Sequence, residues 1–291
     1  MVIYIILNYN DYKTTIQCIE NVKKYTTIVS KIIIVDNCST DESFYELCKL
    51  NDHNIEVIKS SYNGGYGAGN NFGIQYAIKK YNAKHIIISN PDVYIEEKAI
   101  KACYDFLRNR TDTLCTVPLM LDKLEKPYYG CVWRIPTWSE YLFFSLYFGK
   151  NISFRYDIQR FNENSFECDC VAGSWLMIDV DKFSDIGMYD ENVFLYCEET
   201  LIGLKAKQKN YKSFILPQYN FVHLHSVSIS KSIKSVFKQQ RIMWKSRLYV
   251  LSKYYKTNIF YNSFAYFISR LALLEIYIIG SLRKLKDILF C

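Results

Sequence analysis

Short apolar, β-branched runs alternate with helical patterns along the first hundred residues. Val2–Leu7, Lys31–Val35, Ile55–Lys59 and His85–Ile88 read as buried strands. Tyr12–Tyr25, Asp41–Leu50 and Gly67–Tyr81 read as the helices between them. Alternation at this spacing predicts right-handed crossovers, hence an α/β fold with a mostly parallel central sheet and helices on both faces. A second set follows. Cys168–Ile178 reads as a strand, Asp181–Ile186 as a short helix and Glu198–Lys209 as a longer one, while Leu119–Glu167 is aromatic, poorly periodic and predicted to be an insertion or cover. The remaining segment, 229–291, reads as a helical tail.

In parallel sheets ligands bind beyond the carboxyl ends of the strands, so the polar residues there are the ones to inspect. They are Asn8-Tyr9-Asn10, Asp36-Asn37-Cys38-Ser39-Thr40-Asp41, Asn63-Gly64-Gly65-Tyr66-Gly67 and Asn90-Pro91-Asp92. Each alone has an ordinary reading as a turn or a helix cap. Their recurrence on one sheet edge points instead to a nucleotide or phosphate. The glycine loop lacks the dinucleotide fingerprint, since Asn70 and Phe72 stand where a third glycine belongs. No Gly-Lys-Ser/Thr occurs either, which excludes a Walker loop. Oxidoreductase and P-loop functions fall away.

Composition adds compartment and surface. Half the residues are hydrophobic and 22% are charged, which predicts a packed core. Ten cysteines without a C-x-x-C pair read as reduced thiols of a cytosolic protein, and the short opening run, without a basic flank, predicts no secretory leader. The net charge of +7 is uneven. From Ile229 onward, twelve Lys or Arg face only Glu275 and Asp287. The cations are interleaved with apolar runs, which favours an anionic membrane surface over nucleic acid. Lys234, Lys238, Arg241 and Lys245 form a basic helical stripe, with Trp244 and Phe237 expected to insert at the interface. Phe264–Leu282 contains Arg270 and Glu275, each costing about 2.5–3.5 kcal/mol at a bilayer centre, so spanning is disfavoured. The alternative use of the tail is contact with the body or with a second copy, as a homo-oligomer.

Taken in order, these motifs resemble the family 2 glycosyltransferases of the GT-A fold, over roughly residues 2–228. So does Gly187-Met188-Tyr189-Asp190-Glu191, followed by Phe194-Leu195-Tyr196-Cys197-Glu198-Glu199. The branch most resembled contains rhamnosyl- and galactofuranosyl-type transferases of bacterial surface polysaccharides, such as capsule or O-antigen. The resemblance implies that Asp36 holds the nucleobase, that Asn8, Tyr9 and Asn10 lie against the nucleotide, and that Asn63, Gly64 and Asn71 fix its sugar and loop. Asp92 matches the metal carboxylate of the D-x-D motif, Asn90 stands at its first position as a weak ligand, and His223 matches the histidine closing the metal site. His225 would point to the opposite face of the same strand. Glu199 matches the second position of the acidic base motif, with Glu198 beside it, and which of the two is the base stays open. Trp175, Asp190 and Glu191 fall on the acceptor side. Leu201 and Lys205 depart from residues common in relatives.

The implied reaction is inverting transfer of a hexosyl or deoxyhexosyl group from a UDP- or dTDP-linked donor to a glycan or polyprenyl-diphosphate-linked acceptor. It would be assisted by Mn²⁺ or Mg²⁺, with a carboxylate general base, in the cytoplasm at the inner face of the cell membrane. The alternatives are a non-catalytic partner subunit of the same fold, suggested by Asn90 and Leu201, and a sugar nucleotidyltransferase, whose glycine-rich basic first loop Asn8-Tyr9-Asn10-Asp11 does not resemble.

Overall fold

In the computed structural model the described residues are 2–25, 27–144, 146, 149, 151–224 and 235–289, with side chains described to residue 278. His225 and Lys234 therefore lie outside them. The elements, in chain order, are β1 (Val2–Asn8), α1 (Tyr12–Val22), β2 (Val29–Asp36), α2 (Ser43–Cys48), β3 (Ile55–Lys59), α3 (Gly65–Tyr81), β4 (His85–Ser89), β5 (Val93–Ile95), α4 (Glu97–Arg108) and β6 (Thr113–Leu121). There follow β7 (Val132–Trp133), α5 (Trp138–Phe143), β8 (Phe166–Cys168), β9 (Cys170–Val171), β10 (Trp175–Asp179), α6 (Val180–Asp185), α7 (Glu198–Gln208), β11 (Lys212–His223), α8 (Val236–Lys253) and α9 (Ile259–Leu289).

Among the described residues the sheet is nine-stranded, ordered β3-β2-β1-β4-β10-β6-β11-β5 with β8 on β11. β1, β2, β3, β4, β6 and β11 run one way; β10, β5 and β8 run against them. The central strands are apolar on both faces, as a covered parallel sheet requires. Ile3, Ile5, Ile6, Ile33, Ile34, Ile86, Ile87 and Ile88 are fully buried. Here β-branched side chains fit the pleat and remove apolar surface from water at about 25 cal/mol per Å². α3 packs on β1 and β2, and α4 on β6, β10 and β11.

Element ends follow local chemistry. α3 begins two residues earlier than periodicity suggests. Asn63 Oδ1 accepts the Gly65 amide at 3.0 Å, and Gly65 takes φ of +89°, which favours glycine. A Cβ at Gly65 would also stand 1.9 Å from the Phe194 carbonyl oxygen. Asn82, left-handed at φ +50°, closes the same helix. The expected strand Cys168–Ile178 is three pieces. β8 pairs with β11, β9 with β7, and β10 inserts between β4 and β6. Asp169 and Gly173 are the breaks. The Asp169 carboxylate accepts the Ile135 amide at 2.8 Å, and Gly173 turns the chain toward α7.

Two compact units divide the chain: residues 1–135, 155–194 and 198–232 form the sheet unit, and residues 136–154, 195–197 and 233–291 the other. The second unit is helical. Part of the aromatic stretch belongs to it, since α5 opens on a reciprocal Thr137–Glu140 cap. Its centre is Arg247, buried with its guanidinium 4.3 Å from the Phe144 ring centroid and 4.6 Å from that of Trp244. Trp244 is thus packed inside this unit, and its expected insertion at a membrane interface is withdrawn. Lys238, Arg241 and Lys245 are exposed. No described helix is long and apolar enough to cross a membrane.

Candidate active site

The carboxyl edge of the parallel strands is knitted together by short polar side chains. Parallel register sets Asn8 beside Asp36. Asn8 Nδ2 donates to Asp36 Oδ1 at 3.0 Å and to Ser39 Oγ at 3.2 Å, while Thr15 Oγ1 donates to its Oδ1 at 2.9 Å. Ser39 N donates to the other Asp36 oxygen at 3.0 Å. Asn8 and Asp36 are both fully buried, and Asn8, its amide spent on these bonds, orients the Asp36 carboxylate. Asn10 joins the β1 and β2 loops: its Oδ1 accepts Thr40 N at 2.8 Å and its Nδ2 donates to Thr40 Oγ1 at 3.1 Å. Tyr9, next to it, is half-buried. One loop further, Asn37 Nδ2 donates to Asn63 Oδ1 at 3.0 Å and to the Gly65 carbonyl at 3.1 Å. A cavity of about 130 Å³ opens there, lined by Asn37, Ser60, Tyr62, Gly64, Phe72 and Glu191 among others.

The fourth turn carries Asp92. Antiparallel pairing of β5 with β11 sets His223 opposite Val93. His223 Nε2 thereby stands 3.2 Å from Asp92 Oδ1, both side chains nearly enclosed. Asn90 serves through its backbone, its N–H donating to the Ser174 carbonyl at 2.8 Å. The residue before Ser174 is Gly173, whose N–H donates to Glu199 Oε1 at 3.2 Å. Tyr66 OH donates to the Gly173 carbonyl at 2.5 Å. One chain of bonds therefore links the Asp92 turn, the glycine loop and Glu199. Among the described residues, no cluster of three or more His, Cys, Asp or Glu side chains forms a metal cage.

Glu198 and Glu199 open α7 and differ in setting. Glu198 is buried, and its Oε1 has no hydrogen-bond partner among the described residues. Burial pushes its carboxyl well above the ordinary range, and the Glu199 charge pushes it further. Burial also raises Glu199, against the backbone N–H groups of Glu199 and Gly173 that favour its charged form. Glu199 is partly exposed.

The remaining expected residues are placed otherwise. Trp175 is fully buried on β10, opposite Ser89, with its ring against Phe221. It has no free face for an acceptor sugar, because β10 lies inside the sheet. Asn71 is buried and clamps the Tyr189–Glu191 segment. It donates to the Tyr189 carbonyl and accepts the Tyr189 amide, each at 3.0 Å, and donates to Glu191 at 2.8 Å. Asp190 folds onto Asn192, accepting its backbone amide at 3.0 Å. Lys205 donates to the Gly187 and Met188 carbonyls of the same turn. Burial lowers its ammonium to about 8, with Asp190 opposing the shift. Tyr66, Ser39 and Thr40 lie within the sequence motifs at the sheet edge, whereas Gly173 was given no role. The available signal was a glycine breaking an apolar run, which marks a bend or a close backbone approach.

The profile of the family described as "Glycosyl transferase family 2" matches residues 4–174. The chain belongs to that family. It is 29% identical over 206 residues to the low-salt glycan biosynthesis hexosyltransferase Agl10 of Haloferax volcanii, covering 71% of this chain and 61% of that protein. It is 19% identical over 211 residues to the rhamnosyltransferase WbbL of Escherichia coli, covering 65% and 76%. In fold it is similar to GalNAc-T7, crystallised with UDP, GalNAc and Mn²⁺. The TM-score there is 0.61 at 17% identity, over 77% of this chain and 44% of that one. It is likewise similar to the mannosyltransferase PcManGT of Pyrobaculum calidifontis, in complex with GDP-Man and Mn²⁺. That TM-score is 0.59 at 10% identity, over 98% and 80%. The chain thus has the GT-A fold of these glycosyltransferases and spans about three fifths of the length of the hexosyltransferase.

Proposed function

We propose that this chain transfers a hexosyl or deoxyhexosyl group from a nucleoside-diphosphate donor to a glycan hydroxyl, with inversion. The observation that carries the reading is the bonded path from Asp92 and His223, through Asn90, Ser174 and Gly173, to Glu199. It ties a metal-suited pair to a carboxylate of raised proton affinity on one sheet edge.

Asp36, oriented by Asn8 and Ser39, accepts from the nucleobase, while Tyr9 and the Asn10–Thr40 and Asn37–Asn63 ties shape the walls around the nucleotide. An Asp carboxylate and an imidazole nitrogen are donors that suit Mn²⁺ or Mg²⁺. Asp92 and His223 would hold that ion, which would supply positive charge to offset the negative charge of the departing diphosphate. Glu199 takes the proton of the acceptor hydroxyl as its oxygen bonds to the anomeric carbon and the bond to the nucleoside diphosphate breaks. Attack from the face opposite the leaving group inverts that centre. Glu198, buried beside it, raises the proton affinity of the pair. The Gly187–Glu191 turn, clamped by Asn71 and Lys205, borders the acceptor side.

The names of the relatives support hexosyl or rhamnosyl transfer in glycan synthesis as the setting. The basic helical unit supports a lipid-linked acceptor, met at the cytoplasmic membrane surface. A UDP- or dTDP-linked donor of a bacterial polysaccharide, such as capsule or O-antigen, is the specific form proposed. The intact chain of bonded site residues weighs against a non-catalytic subunit.

The test is nucleoside-diphosphate release from UDP-, dTDP- and GDP-sugars with Mn²⁺. Glu199→Gln is expected to keep donor affinity while turnover falls about 10²–10⁴-fold, the usual worth of a general base. A larger loss in Glu198→Gln would move the base to Glu198. Wild-type turnover in both variants would remove the mechanism.

A further inference from the structure

α9 has two apolar faces. Ala265, Ile268, Ser269 and Ala272 are buried on one of them, and the helix packs on α8. On another face Phe260, Phe264, Phe267, Leu271, Leu274 and Ile278 recur at alternating steps of four and three residues. Each of the six is between 42% and 80% exposed. At 100° and 1.5 Å per residue they form one stripe roughly 80° wide and roughly 27 Å long. A continuous exposed patch of that size marks a surface made to be covered.

Charge selects the occupant. In the described part of this helical unit Lys238, Arg241, Lys245, Lys253, Lys256 and Arg270 are exposed, and Glu275, half-buried, is the acidic residue of α8 and α9 up to residue 278. A second copy would bring the same cations against themselves, which opposes association. An anionic lipid surface offers the complementary charge together with an apolar boundary.

We propose that the Phe260–Ile278 stripe is the insertion face of an interfacial helix. The phenylalanines and leucines enter the boundary between headgroups and acyl chains, and the cations of α8 and α9 sit on anionic headgroups. Arg270, bonded to the Tyr266 hydroxyl and stacked on that ring at 4.7 Å, reaches the interface beside the stripe. This deepens the membrane-surface part of the proposed function, and its test reads vesicle binding without any turnover, so the two fail separately.

The full chain is sedimented with vesicles of equal parts phosphatidylglycerol and phosphatidylcholine, and with phosphatidylcholine alone. Preferential pelleting with the anionic vesicles is expected, weakening as salt rises. Phe267→Gln combined with Leu271→Gln should weaken that binding at least about tenfold, as loss of two inserted apolar side chains requires. Lys238→Gln, Arg241→Gln and Lys245→Gln together should lose about fivefold per charge and flatten the salt dependence. Unchanged Mn²⁺-dependent nucleotide affinity in each variant establishes that the sheet unit is intact. Equal pelleting of wild type and the stripe variant would overturn the proposal. So would a lipid-free dimer in sedimentation velocity that the stripe substitutions split, which would give the stripe to a second copy.

Discussion

Two adjacent glutamates behave differently because one side chain is enclosed and the other reaches a backbone amide. Glu198 has a proton affinity raised above its ordinary value of 4.5. A carboxyl of that kind binds more protons folded than unfolded. Its contribution to stability is complete below about pH 4.5 and is lost as pH rises through the folded value. Glu198→Gln is therefore expected to melt higher than wild type at pH 8, with the gap closing toward pH 4. Melting curves at pH 4, 6 and 8 check this, and a gap independent of pH would contradict it. At this scale the sequence shows which residue types stand at the sheet edge but not how they are surrounded. Asp36, Asp92, His223 and Glu199 were all singled out from their motifs. Nothing in a linear string shows that the amides of Asn8 and Asn71 are used up inside the protein, or that Trp175 is enclosed. Those facts depend on what lies across the sheet, 28 residues away for Asn8 and 118 for Asn71.

At the scale of elements, the Gly187–Glu191 turn is held by neighbours more than by itself. Gly187 and Met188 both take positive φ, at +79° and +52°. The turn is fastened by Lys205 from α7 and by Asn71 from α3. Asn71→Ala would leave the buried Tyr189 amide and carbonyl without these partners. That should cost about 1–3 kcal/mol in urea unfolding, with an unchanged denaturant slope. A loss under about 0.5 kcal/mol would mean the turn is held elsewhere. The first four strands were legible because a covered parallel strand is a short apolar run bounded by polar loops. Cys168–Ile178 was not. Its residues are mostly apolar, and the choice of three different partner strands divides it at Asp169 and Gly173.

On the scale of the whole molecule, charge and chemistry are separated along the chain. The sheet unit carries the carboxylates of the edge, and the sequence after residue 229 carries the surplus of cations. That asymmetry was visible in composition. The exposed stripe of α9 was hidden there, because its period of three and four is the same one a buried helix shows. Accessible surface, not sequence, separates the two.

Asp92 and His223 are proposed to hold a nucleotide through a divalent ion at the sheet edge that Glu199 shares. Calorimetric titration of UDP, dTDP and GDP into the full chain, with and without Mn²⁺, tests it most directly when repeated on Asp92→Ala. Wild type is expected to bind at least one nucleoside diphosphate in a Mn²⁺-dependent way, and the variant to lose the Mn²⁺-dependent gain while its melting curve stays cooperative. Wild-type Mn²⁺-dependent affinity in Asp92→Ala would contradict the proposed role of Asp92.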